Sequence, residues 1–507
     1  MKAFLLYRDR DFDFDAALPA NTTDLTEDLG LDTLLTAMAQ NDRFLLEISR
    51  KAVLTSASEP DAIVYRQDIL TDCLKHPAVV RQIYDTAVEA LDGVKKTFWS
   101  RFSARPDTNL QRSVELLELF MPLLERLRTI ADEHSDVFAS EGLTRFFRML
   151  RNELDDEYLR TVEDHVRRLR FRTQGVLISA ELGPGNAGRN YTLLRRTDDR
   201  RNWLRRMLGE GRPHYYYKIP ERDENGAKAL GELRIRGINL VANALSQSTD
   251  HIQNFFTRLR AELAFYIGCL NAHMLLTRIG GPICLPVPER RGRPEMSCAG
   301  LYDIGLSLNT GRRVVGNDMG ADGRPLVMIT GANQGGKSTF LRSVGLAQLM
   351  MQCGMFVAAE SFRSSVRSGI FTHYRREEDA TMTSGKFDEE LRRMSALLGD
   401  LHPGSMILFN ESFAATNERE GSQIARQIIR ALLEGGARVF FVTHQYDLAN
   451  GFYRHQPDTT LFLRAERTTD GRRSFTLVEG EPLPTSFGRD LYERIFEGAV
   501  DATRVGV

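Results

Sequence analysis

Across residues 29–54, apolar side chains return every three or four positions (Leu34, Leu35, Met38, Phe44, Leu45, Ile48). That is the period of helices burying one face. Residues 114–130 repeat the habit with Leu116, Leu117, Leu119, Phe120, Leu123, Leu124 and Leu127. Pro77, Pro106 and Pro122 punctuate this helical region, and Pro122 is expected to kink or start a helix. A further helix is expected from about Glu153 to about Thr173. The pattern then shortens. Residues 175–180 and 191–194 read as two strands around the turn Gly183-Pro184-Gly185-Asn186, and residues 214–219 as a third.

Residues 225–279 contain no proline and few glycines, and apolar positions recur at helical spacing from Leu230 to Leu276. A single helix of that length would extend about 75 Å at 1.5 Å per residue, more than a globular core needs, so it spans a distance or carries a motion. Gly237 is the one place where it is expected to split. Gly280-Gly281-Pro282 stops it, and the Pro-, Arg- and Gly-rich stretch 286–294 marks a boundary. Beyond Cys298, strand and helix patterns alternate, which predicts a mostly parallel sheet with helices packed on it.

The chain has 507 residues, more than one core holds, so several domains are expected. The net charge of −1 excludes a global pull on nucleic acid, and any such binding must come from a local patch. One candidate patch exists. Residues 165–212 hold 12 arginines against 4 acids, Arg195, Arg196, Arg200 and Arg201 among them. They fit either phosphate contact or a solvated face. The five cysteines are scattered, with no C-x-x-C pair, which argues against a disulfide framework and fits a reducing cytoplasm. No secretory leader and no membrane span is expected.

The chemistry concentrates after residue 325. Residues 325–330 form an apolar strand, followed by Gly331-Ala332-Asn333-Gln334-Gly335-Gly336-Lys337-Ser338 and a helix from Thr339. This is G-x-x-x-x-G-K-[ST] in strand–loop–helix context. Glycines let backbone N–H groups converge on phosphate oxygens, the helix N-terminus favours the anion, Lys337 reaches the β- and γ-phosphates, and the Ser338 hydroxyl ligates Mg²⁺. A second apolar strand, 405–409, ends in Asn410-Glu411. Asn410 occupies the usual metal-side carboxylate position, and Glu411 the position that orients or deprotonates the attacking water. Loss of a charge at 410 predicts weaker Mg²⁺ binding and slow hydrolysis. A third strand, 439–442, ends in Thr443-His444, and His444 is expected at the ligand crevice as a γ-phosphate sensor.

These motifs resemble those of the MutS family of DNA mismatch repair ATPases. The resemblance covers about 200 residues. It includes the Asn and double Gly of the loop, the Phe440-Phe441-Val442-Thr443-His444 strand, and Thr485-Ser486-Phe487-Gly488 with a helix after it. Ser384-Gly385-Lys386 stands where the family has the loop that reaches the other subunit's γ-phosphate. Three departures mark a divergent branch: Asn410 for Asp, Ser412-Phe413-Ala414-Ala415-Thr416-Asn417 in place of Gly-Arg-Gly-Thr, and Lys386 in place of a hydroxyl residue. The resemblance implies a helical core (1–150), an arginine-rich lever and clamp-like segment with short strands (151–224), a long returning lever helix (225–290) and an α/β P-loop ATPase domain (291–507). It implies ATP and Mg²⁺ as ligands, a homodimer, and non-sequence-specific duplex or branched DNA as partner. The family's N-terminal Phe-x-Glu mismatch reader has no counterpart before Phe387-Asp388-Glu389, which lies in the ATPase part, so no mismatch preference is expected. Two alternatives stand beside this reading. One is a non-hydrolysing ATP-bound clamp or scaffold. The other is a dimerising P-loop ATPase of the transporter or chromosome-condensing type, whose Leu-Ser-Gly-Gly motif Ser384-Gly385-Lys386 matches poorly.

Overall fold

The computed structural model describes residues 1–98, 106–170, 178–182, 184, 188–193, 224–292, 294–376, 385–467 and 473–483. In chain order the helices are α1 (Thr22–Leu29), α2 (Leu31–Ala39), α3 (Arg43–Leu54), α4 (Pro60–Lys75), α5 (Pro77–Phe98), α6 (Pro106–His134), α7 (Glu141–Glu153), α8 (Asp156–Arg170), α9 (Glu224–Ile279), α10 (Ile304–Thr310), α11 (Lys337–Gln352), α12 (Lys386–Asp400), α13 (Glu418–Glu434) and α14 (Tyr446–His455). The strands are β1 (Ile178–Leu182), β2 (Gly188–Leu193), β3 (Val287–Glu289), β4 (Met296–Leu301), β5 (Asn317–Gly320), β6 (Leu326–Thr330), β7 (Ser361–Ser365), β8 (Ile370–Tyr374), β9 (Met406–Asn410), β10 (Arg438–Val442), β11 (Thr460–Arg467) and β12 (Arg473–Glu479). The protein is multidomain and helix-rich, with mixed sheets.

Two compact units each gather separate stretches of chain. One comprises Met1–Ala3, Arg81–Val137 and the described residues of Arg145–Arg260; the other comprises Phe4–Val80, Phe138–Thr144 and the described residues from Ala261 on. In the first, Leu116, Leu117, Phe120, Leu123, Leu124 and Leu127 of α6 are buried as read from the sequence, and Leu119 is half-buried. Phe120 meets Phe256 of α9, with ring centroids 5.6 Å apart. Pro60, Pro77 and Pro106 each open a helix, where the missing N–H costs nothing. Pro122 starts no helix; it lies inside α6. β1 and β2 pair antiparallel, Ile178 opposite Leu193, so the expected hairpin is present. Residues 175–177 and 194, most of its turn, and the strand expected at 214–219 lie outside the described residues. α9 runs unbroken for 56 residues through Gly237, so the expected split does not occur. One glycine costs only about 1 kcal/mol in a helix interior, too little to break it. Gly280, at φ 81°, ends it.

The second unit contains a six-stranded sheet of order β12-β11-β6-β10-β9-β8. All neighbours are parallel except β11 and β12. β6 and β10 are buried at every position, as strands covered on both faces should be. Met328, Ile407, Phe409 and Phe441 point to one face and pack with Ile429 of α13 and Leu448 of α14. α11 covers β9 and β10 so closely that a Cβ on Gly345 would lie 2.6 Å from a methyl of Leu408. A second sheet, of order β3-β7-β4-β5 and mixed direction, accompanies it. No sequence pattern announced that sheet.

The parallel register aligns the strand ends. Tyr374 lies opposite Asn410, Asn410 opposite Val442, Val442 opposite Ile329, and Thr330 opposite Arg464. The loops after β8, β9, β10 and β6 therefore leave the sheet along one edge, its carboxyl end, where α/β sheets bind ligands.

Candidate nucleotide site

The loop between β6 and α11 curls through left-handed backbone at Gly331 (φ 107°), Gln334 (φ 59°) and Gly336 (φ 92°). A Cβ at Gly331 would stand 2.8 Å from the amide nitrogen of Ala465, and one at Gly335 would stand 2.6 Å from the Ala465 methyl. Both positions are therefore restricted to glycine by space. Lys337 begins the helix and is 95% buried. Its Nζ donates to the carbonyl oxygens of Gly331 and Ala332, both at 2.9 Å, so the ammonium sits inside the curl. Burial lowers its pKa, and the charge of Glu411 opposes that shift. Asn333, Gln334 and Ser338 are exposed and Thr339 is half-buried.

Across the sheet edge, Ser338 Oγ donates to Asn410 Oδ1 at 2.8 Å. Hydroxyl and amide oxygens brought together in this way are hard ligands of the kind Mg²⁺ takes, so the donor set fits that ion. Glu411 adopts φ 54° and its backbone N–H donates to the Val442 carbonyl at 2.9 Å. Its Oε1 lies 3.8 Å from His444 Nδ1, long for a hydrogen bond. The imidazole is nonetheless the leading reason that the carboxyl is held below its ordinary pKa. Partial burial opposes this, and the charges of Lys337 and Arg375 add to it. The structure thus places Lys337, Ser338, Asn410, Glu411 and His444 on one edge of one sheet. Gly385 caps α12 and Lys386 is its first residue. Ser384, the 485–496 element, and Arg195, Arg196, Arg200 and Arg201 lie outside the described residues.

Sequence reasoning missed the support beneath Glu411. His373, on β8, is buried and stacks on Phe413 at 5.4 Å. Its Nε2 lies 3.1 Å from the Glu390 carbonyl oxygen and its Nδ1 lies 2.8 Å from Ser412 Oγ. Burial, with Arg393 nearby, lowers its pKa to about 4. The ring is therefore neutral, with Nε2–H donating to Glu390. The Glu390 carboxylate accepts from the Phe413 N–H at 3.1 Å. This network ties α12 to the turn after Glu411. A histidine on a buried strand of an α/β sheet was the only signal, and it does not distinguish structure from function.

Residues 58–279 match the MutS2 N-terminal domain and residues 327–492 match MutS domain V. The DNA mismatch repair protein MutS of Chloroflexus aurantiacus is 30% identical over 264 residues, 48% of this chain and 26% of that protein. Endonuclease MutS2 of Lactiplantibacillus plantarum is 36% identical over 152 residues, 29% of this chain and 19% of that protein. MutS protein homolog 4 of Mus musculus is 30% identical over 151 residues, 30% of this chain and 16% of that protein. The chain thus matches about a quarter or less of the length of each of these three relatives. Two MutS domain matches in chain order and relatives of several MutS kinds agree with the site's own motifs: the chain belongs to the MutS family.

Proposed function

We propose that this protein is an ATP-dependent DNA-binding protein that binds ATP with Mg²⁺ and hydrolyses it slowly between two copies of itself to control its grip on DNA. The observation that carries the reading is the joining of two distant motifs: Ser338 Oγ bonds Asn410 Oδ1 at 2.8 Å while Lys337 fills the adjoining loop. Gly331–Thr339 would hold the phosphates, and Ser338, Asn410 and Glu411 the metal. Glu411 would orient the attacking water, and His444 would sense the γ-phosphate. Ser384, Gly385 and Lys386 would complete the partner's site. On this reading residues 1–150 are a core, 151–224 a clamp-like segment, 225–290 a lever and 291–507 the ATPase, working in the cytoplasm. Among the described residues no helix is long and apolar enough to cross a membrane.

Asn410 favours a second reading, a clamp that binds ATP without turning it over, because the metal site lacks its usual charge. Phosphate release by the purified protein separates the two. The shared premise is tested by Lys337→Ala, which should abolish ATP binding in an equilibrium titration while leaving the circular dichroism spectrum unchanged. Parental affinity in that variant would remove the nucleotide site from consideration.

A further inference from the structure

We propose that Arg375 is a cation of this nucleotide site acting within its own chain, its guanidinium bonding the terminal phosphate of a bound nucleoside triphosphate. The inference rests on the nucleotide-site reading above and adds a residue to it. Arg375 is the first residue beyond β8, on the edge from which the Gly331 loop, Glu411 and His444 also leave. Its backbone N–H donates to the Asn410 carbonyl oxygen at 3.0 Å, so its side chain starts beside the residue whose amide oxygen bonds Ser338. Its charge acts on the Glu411 carboxyl together with that of Lys337.

The cations around this corner differ in how they are engaged. Arg376 pairs with Asp24 and Glu27. Arg393 donates to the Tyr374 carbonyl oxygen at 3.1 Å. Arg375 is exposed, and among the described residues its guanidinium makes no hydrogen bond or ion pair. With Lys386, Glu390 and Arg393 it lines a recess beside the turn after Glu411.

The asparagine at 410 makes the arrangement chemically coherent. An aspartate there would draw a neighbouring guanidinium into an ion pair. Asn410 carries no charge, so Arg375 keeps its donors for another anion. A planar guanidinium suits a phosphate because it offers two parallel N–H groups. Positive charge at the terminal phosphate is also the kind of help that phosphoryl transfer uses. The position implies discrimination, because only the triphosphate has a γ-phosphate to contact.

The test measures ATP and ADP affinities, with Mg²⁺ at saturation, for the full-length parent and for Arg375→Ala, Arg376→Ala and Lys337→Ala. Arg375→Ala should weaken ATP at least fivefold more than ADP. Arg376→Ala should keep the parental ratio, and Lys337→Ala should bind neither nucleotide. A change in the ratio of less than fivefold for Arg375→Ala overturns the proposal, as does an equal change in Arg376→Ala, which would indicate diffuse charge. Failure of the nucleotide-site reading looks different: Lys337→Ala would then bind as the parent does, and the ground for placing Arg375 would go with it.

Discussion

At Glu411 the backbone takes φ 54°, and two residues later Phe413 takes φ 61°. Left-handed backbone costs a residue with a Cβ about 1–2 kcal/mol, so this turn is held by its surroundings. For Phe413 the holding is visible: its ring is fully buried and stacks on His373. Phe413→Gly should relieve the backbone and lose the ring, and loss of a buried Phe costs about 3–5 kcal/mol. The variant should be net destabilised by roughly 1–4 kcal/mol, seen as a lower midpoint in urea unfolding; an unchanged or raised midpoint would mean that backbone strain dominates. Glu411→Gln addresses chemistry. It should bind ATP as the parent does and lose turnover on the order of a hundredfold, a common size for general-base removal. Parental hydrolysis would return Glu411 to a structural role. The placement of Lys337, Ser338 and Glu411 at one sheet edge was legible because each stands in a motif at the carboxyl end of an apolar strand. Arg375 and His373 were not, because their significance depends on which strand lies beside β9, and strand order is not written in local sequence.

Elements were legible wherever periodicity alone decides them. The helical character of α9 and the apolar runs 326–329 of β6 and 439–442 of β10 follow from their patterns. The β3-β7-β4-β5 sheet does not, because its short strands carry polar and small residues such as Ser297, Gly300 and Asn317. One element contact has a pH dependence that the sequence could not reveal. Glu262 of α9 is fully buried and accepts from the N–H groups of Leu5 at 2.5 Å and Phe12 at 3.2 Å. Burial raises its pKa to about 7 from an ordinary 4.5, against the pull of those donors. A folded-state pKa above the unfolded one means that the folded state binds the extra proton between those values. The contribution is fully present below about pH 4.5 and is lost as pH rises through about 7. The shift corresponds to at most about 3 kcal/mol. Hydrogen-exchange protection at the Leu5 and Phe12 amides, corrected for intrinsic rate, should fall from pH 5 to pH 8 and be flat in Glu262→Gln. The same fall in the variant would exclude Glu262 as its source.

At the scale of the whole molecule, the residues of the candidate nucleotide site belong to the second compact unit, while the residues proposed for DNA lie far from them in sequence. Arg195, Arg196, Arg200 and Arg201 stand in a stretch with a strong arginine excess inside a chain whose net charge is −1. Such a local contrast predicts salt-sensitive binding. Arginines that neutralise phosphates release condensed counterions, so log affinity for duplex DNA should fall linearly with log salt, by about 0.9 per phosphate neutralised. Such contacts carry no base information, and the weakening should be alike on unrelated sequences. Reversing the four arginines to Glu should weaken binding on every duplex tested and flatten the slope by about 0.9 for each contact removed. ATP affinity in the absence of DNA should stay at the parental value, because Lys337, Ser338 and Asn410 come from other stretches of the chain. Salt-titrated fluorescence anisotropy on two unrelated duplexes, with an ATP titration on the same preparation, measures all three quantities. An unchanged slope and affinity would make the stretch a solvated basic face and move the DNA contacts elsewhere. A parallel loss of ATP binding would instead point to a general disturbance of the fold by four charge reversals, and single reversals would then have to carry the slope measurement.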